Sequence, residues 1–135
     1  MPDSMAGYSG TPLPKKLGIK PGSVTGLIGA PDRFERKIEP LPESAQLQSG
    51  ARGADTVLLF ITSSAEMELR FLAMEKGIRD GGKVWIIWPK QASGMRTDLN
   101  QAVVRAFALA RDWVDYKVCA VDATWSGLLF TRRKK

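Results

Sequence analysis

The chain has 135 residues, 20 Lys and Arg against 14 Asp and Glu, a formal charge of +6, one cysteine and no histidine. The length suits one domain around a substantial core, and a lone Cys119 excludes an internal disulfide or a cysteine-built zinc site. The absence of histidine excludes Ser-His-Asp and Cys-His nucleophiles and the HExxH metal motif, which leaves any chemistry to carboxylates, Lys, Tyr, Cys, backbone amides or a cofactor.

Residues 1–22 are rich in proline and glycine and read as an irregular arm, with residues 23–135 forming a single α/β domain. Val24 to Ile28 offers a short strand that stops at Gly29-Ala30-Pro31, where glycine permits a tight turn and Pro31 suits the first turn of a helix through Asp32 to Ile38. Pro40 and Pro42 end that segment, and Ala45 to Gln48 is a second short strand. Asp55 to Ile61 (DTVLLFI) is an apolar run of the kind buried on both faces of a parallel sheet.

Ser63 and Glu66 have capping-box spacing, and Met67, Phe71, Met74 and Ile78 recur at helical period, which leaves Glu66, Arg70 and Lys76 for water. Asp80-Gly81-Gly82 breaks that helix before a buried strand, Val84 to Trp88. A further helix starts at Thr97 or Asp98, with Leu99, Val103, Ala106, Ala110 and Val114 on its buried stripe. Tyr116 to Val121 and Leu128 to Arg132 are strands joined by a turn-rich link at Asp122 to Gly127, so the final strand runs antiparallel. The fold class is therefore α/β, a three-layer Rossmann-like arrangement with a mostly parallel sheet.

Open sheets of this kind bind ligands outside the carboxyl ends of their strands. Those ends carry Gly29, Pro31, Thr62, Ser63, Trp88, Lys90, Ser93, Thr97, Asp122 and Trp125, which are the candidate ligand-binding residues. Lys90, beside helix amino termini, is suited to holding a phosphate or carboxylate, and equally to being a hydrated loop lysine. Trp88 reads as core or as a stacking platform, Asp122 as a turn residue bonding nearby amides or an acid/base group, and Thr97 and Asp98 as helix caps. Gly29, Pro31 and Ser93 are also explained by turn geometry. Cys119, between Val118 and Ala120, reads as a small buried hydrophobe. The segment Tyr8 to Pro12 would either cover a pocket or pack on a sheet edge.

The order of these elements, from a first strand ending in a glycine turn to a terminal reversed hairpin, resembles a shortened class I methyltransferase with one strand and its helix missing. That resemblance implies S-adenosylmethionine as a cofactor, although LIGAPDRF holds a single loop glycine and QLQSG has no acid to accept ribose hydroxyls. At motif level GYSGTPLPKKLGIK, IGAP, WPKQASGMRTDL and KVCAVDATWSGL resemble a family of small bacterial proteins classed as a domain of unknown function. The resemblance implies an intracellular single-domain protein and transfers no catalytic residues.

The expectation that follows is a methyltransferase-like domain serving as a non-catalytic module for a small anionic ligand or a protein partner. The alternatives are an S-adenosylmethionine-dependent methyltransferase and a non-specific nucleic-acid binder using Lys15, Lys16, Lys20 and the Arg132 to Lys135 tail. No apolar run approaches the roughly 20 residues of a membrane span, and the first residues lack a signal-peptide core, so the expected setting is cytoplasmic, without membrane partners.

Overall fold

A computed structural model describes residues 11–134. In chain order these form α1 (Leu13–Lys16), β1 (Val24–Ile28), a 3-10 turn (Phe34–Ile38), β2 (Gln46–Ser49), β3 (Thr56–Phe60), α2 (Ser64–Gly77), β4 (Lys83–Pro89), a second 3-10 turn (Gln91–Ser93), α3 (Gln101–Ala110), β5 (Trp113–Ala120) and β6 (Trp125–Arg132). The strands make one sheet in the order β2-β1-β3-β4-β6-β5. β1 to β4 run parallel, while β6 lies antiparallel between β4 and β5. The sheet is thus the mostly parallel, terminally reversed one expected from the sequence.

Strands β3 and β4 are apolar because both of their faces are covered. Val57, Leu59, Val84, Ile86 and Trp88 point into a core roofed by α2 and α3, while Leu58, Phe60, Trp85 and Ile87 enter a second core on the other face. α2 supplies Met67, Phe71 and Met74 to the first core. The opening segment contributes Leu17 and Ile19 to the second and is tied there by Trp85, whose indole N–H donates to the Leu17 carbonyl at 2.9 Å. The Tyr8-Ser9-Gly10 part of the suggested cover lies outside the described residues.

Three local expectations are corrected. The helix expected over Asp32 to Ile38 is only the 3-10 turn at Phe34–Ile38, entered through Arg33 in left-handed geometry (φ 64°), and Phe34 and Ile38 hold it to the sheet. The helix expected from Thr97 begins instead after the cap Asn100, whose side chain accepts from the Val103 N–H, and its buried face is Val104 and Ala108; Val103, Ala106 and Ala110 face water. The helix closes at Ala110, and Asp112 (φ 69°) turns the chain, so Val114 belongs to β5, which begins at Trp113. Trp113 is 1% exposed, and burying its ring against Phe71 outweighs one more helical turn.

Between β2 and β3 neither strand nor helix intervenes; residues 50–55 cross β1 directly. Parallel strands are usually joined through a helix and a dozen or more residues, so this crossing must lie flat on β1. It does so over Gly26. A Cβ there would fall on the Gly50 carbonyl oxygen and 3.0 Å from its carbon, both backbone atoms that cannot rotate away. We predict that Gly26→Ala lowers stability at the upper end of about 1–3 kcal/mol; an unchanged urea midpoint would refute the role given to this contact.

Candidate functional site

The connection leaving β1 runs to the second core through Phe34 and Ile38, while the one leaving β3 becomes α2 over the first. These two connections therefore depart to opposite faces, and β2 and β3 flank β1 on opposite sides. This is the reversal of strand order at which open α/β sheets form a crevice. Gly29, exposed and at φ 70°, turns the chain at the end of β1.

Across from Gly29 stands Arg70. Its guanidinium donates to the Phe60 carbonyl at 2.7 Å and lies 3.4 Å from the Glu66 carboxylate, one helical turn earlier. A Cβ on Gly29 would fall on this guanidinium and 2.8 Å from the Phe60 oxygen. Gly29 is thus the seat of Arg70 as well as a turn residue. Glu66 accepts in addition from the Thr62 N–H at 2.7 Å and the Thr62 hydroxyl at 2.9 Å. The Thr62 amide is the main reason its carboxyl sits below the usual range; partial burial opposes this, and the Thr62 hydroxyl and Arg70 add to it.

The sequence assigned both Glu66 and Arg70 to water. Each is only about a third exposed, at 36% and 35%, because α2 presents them along the strand ends and not away from the sheet. A signal was present in their spacing, since an acid and a base four apart in the first turns after a buried strand can pair across its end.

The other polar candidates in this corner are engaged with one another. Ser63 caps α2 through the Glu66 N–H, as its spacing predicts, but the Glu66 side chain reaches Thr62 and not Ser63. Thr97 and Asp98 do not cap α3. The Thr97 hydroxyl donates to the Thr62 carbonyl at 2.7 Å, and Asp98 accepts from the Ser64 N–H at 2.9 Å, so the loop before α3 is pinned to the start of α2. The Ser64 amide is also the main cause that lowers the Asp98 carboxyl. With the Asp98 carboxylate on its first amide, the Ser63 hydroxyl on the Glu66 amide and the Glu66 carboxylate on the Thr62 amide just before it, this helix end is poorly suited to the anion expected beside Lys90.

A second corner gathers Trp88, Lys90, Asp122 and Trp125, because Pro89 pairs with Trp125 and the Lys90 N–H donates to the Thr124 carbonyl. Trp88 and Trp125 are buried, and Trp125 packs edge-on to Phe60 at 5.2 Å between ring centres, which joins the two corners through the second core. Asp122 holds its turn by accepting from the Thr124 and Trp125 N–H groups at 2.8 Å and pairs with Lys37 at 2.6 Å. Ser93 bonds within its own loop to the Lys90 carbonyl and Met95 N–H. Pro31 accepts from the Phe34 N–H through its carbonyl, in turn geometry. Cys119 is 5% exposed, and burial raises its thiol above the ordinary range despite nearby Lys16, Lys117 and Lys90.

Burial alone would raise the Asp122 carboxyl, but the Lys37 hydrogen bond and the two backbone amides outweigh it and leave it low. A carboxyl lowered on folding adds stability at neutral pH that disappears as pH falls through the unfolded value, near 3.9, towards the folded one. We therefore expect Asp122→Asn to cost about 1 kcal/mol at pH 7, with the gap from the parent chain closing below about pH 4. A gap that persists unchanged at pH 3 in chemical unfolding would contradict this.

Elsewhere, a cavity of about 210 Å³ lies by the C-terminal end of α2, bordered by Glu75, Arg79, Gly82, Trp113 and Arg132. None of the candidate residues lines it. Its side chains serve each other: Arg132 stacks on Trp113 at 4.9 Å, and the Trp113 N–H donates to Glu75 at 2.9 Å. Among the described residues no cluster of three or more His, Cys, Asp or Glu could hold a metal ion, and no helix is long and apolar enough to cross a membrane.

No protein-family model matches the chain, and no curated protein matches it. Similarity is found among solved structures. A SAM-dependent methyltransferase from Aquifex aeolicus superposes with a TM-score of 0.61 at 13% identity, covering 87% of this chain and 86% of that one. Precorrin-6y C5,15-methyltransferase from Geobacter metallireducens gives 0.60 at 8% identity, with 90% and 86% coverage. The complex of DhpI with SAH gives 0.58 at 12% identity, with 90% and 81% coverage. The motif-level resemblance has no family model behind it, whereas the fold-level one rests on these structures: the chain has the fold of a shortened class I methyltransferase.

Proposed function

We propose that the chain binds an adenosyl compound of the S-adenosylmethionine class in the crevice between the carboxyl ends of β1 and β3, and that methyl transfer is the reaction such a ligand serves. The observation that carries this reading is the strand order, which reverses at β1 beside the positive-φ Gly29 turn, the place where open α/β sheets form a ligand crevice. The relative crystallised with SAH has the same fold over most of its length.

The crevice supplies a glycine turn at Gly29, on which the Arg70 guanidinium rests, and one carboxylate, Glu66, held ionised by its Thr62 contacts. Glu66 is the group for a ligand hydroxyl or ammonium here, because the end of β2, Ser49-Gly50, carries no acid. S-adenosylmethionine would bring the activated methyl group itself. No residue is assigned to deprotonating an acceptor.

The test is calorimetric titration of the full chain with S-adenosylmethionine and S-adenosylhomocysteine, read beside a thermal-shift series, since a ligand of the native state raises apparent stability by mass action. Saturable one-to-one binding is expected, and Glu66→Gln should weaken it about tenfold or more, while leaving the fold intact. Absence of saturable binding by both compounds to the parent chain and to crevice variants would overturn the reading.

A second reading, a non-catalytic module for a small anion or a protein, is favoured by one observation: the guanidinium resting on Gly29 puts a positive charge at the mouth of the crevice. It requires inorganic phosphate or a carboxylate to stabilise the protein where adenosyl compounds do not.

A further inference from the structure

We infer that Arg70 gates the crevice: its guanidinium must leave Gly29 and the Phe60 carbonyl before an adenosyl ligand can lie against the β1 turn. This rests on the adenosyl reading above and names the residue that sets which ligand enters and how tightly it binds.

The first argument is space. The position a Cβ would take on Gly29 is filled by the Arg70 guanidinium, so the backbone surface that a glycine turn exposes is already covered. A ligand that needs this surface competes with an internal side chain. The second argument is charge. S-adenosylmethionine carries a sulfonium cation, and a guanidinium fixed in the same small crevice repels it, whereas the neutral sulfur of S-adenosylhomocysteine meets no such repulsion.

The third argument is that the gate can open locally. Arg70 is about a third exposed, sits midway along α2 and is not among Met67, Phe71 and Met74, the residues that hold the helix to the core. Its bonds to the Phe60 carbonyl and to Glu66 are the ones lost on opening. The opened state releases the Glu66 carboxylate from its only cationic neighbour on the helix, and that carboxylate, still fixed by Thr62, then faces the space a cationic ligand would enter. Closing and opening therefore change the sign of the charge presented by the crevice as well as its volume.

An ordinary ligand-contacting arginine and a gating one make opposite predictions. Removing a contact weakens binding; removing a gate strengthens it. We expect Arg70→Ala to bind S-adenosylmethionine at least tenfold more tightly than the parent chain, with a smaller gain for S-adenosylhomocysteine, in calorimetric titrations of the full chain. Arg70→Met, which keeps the apolar stem, should show the same order if the alanine variant unfolds. Binding to the variants that is equal to or weaker than that of the parent chain would overturn the gate and leave the adenosyl reading standing. Equal gains for the two compounds would overturn the charge argument, and no binding by parent or either variant would overturn the gate together with the reading it rests on.

Discussion

The approach of Gly50 to Gly26 is the constraint on which the rest of the sheet depends. A chain that passes from β2 to β3 without a helix has to lie on the strand it crosses, and only a residue without a Cβ lets a carbonyl come so close. Small residues line the same path: Ala51 and Ala54 are buried in the first core, and Gly77, at the end of α2, comes within 3.3 Å of the crossing where a Cβ would stand. The crossing delivers β3 to the far side of β1, and that placement opens the crevice beside Gly29. A missing helix and the reversal of strand order at β1 are thus two results of one packing contact.

The carboxyl ends of the strands are unusually self-sufficient. Backbone amides at the start of a helix need partners, and here Ser63 and Asp98 supply them from side chains, while Glu66 takes the Thr62 N–H just ahead of the helix. Each such hydrogen bond is worth about 0.5–1.5 kcal/mol net, and carboxylates at a helix amino terminus also complement its dipole. The same arrangement removes the donors that an anion would use. What remains adjustable in the crevice is the pair formed by Glu66 and Arg70, at 3.4 Å and open to water, where attraction is modest and rearrangement is easy. The electrostatic character of the site therefore turns on one loose ion pair set among tightly bonded neighbours.

Much of the fold was legible in the chain. DTVLLFI and KVWIIW announce strands buried on both faces, and the Ser63 spacing marks the start of α2. The Asp122 turn identifies the hairpin that reverses β6. At the level of the candidate site, the carboxyl ends of the strands were legible because sheet topology alone dictates them, but the contacts that individual side chains make there were not. Thr97 and Asp98 have ideal cap chemistry, yet their partners lie 35 and 34 residues away on the β3 to α2 corner, and Asn100 takes the cap instead. Likewise α3 has apolar residues on several faces, so its composition leaves its rotation open, and contact with the sheet selects Val104 and Ala108.

The sequence by itself determined the alternation of strand and helix, the two-sided burial of β3 and β4 and the reversed final hairpin, because these follow from local periodicity and turn chemistry. Only the tertiary structure decided that Gly26 carries a crossing chain, that Gly29 seats a guanidinium and that Glu66 and Arg70 turn towards the strand ends. Those outcomes depend on atoms brought together from distant parts of the chain, and on which of several chemically adequate hydrogen-bond partners packing places within reach. Periodicity can assign a face to a residue; it cannot say what the opposite surface offers.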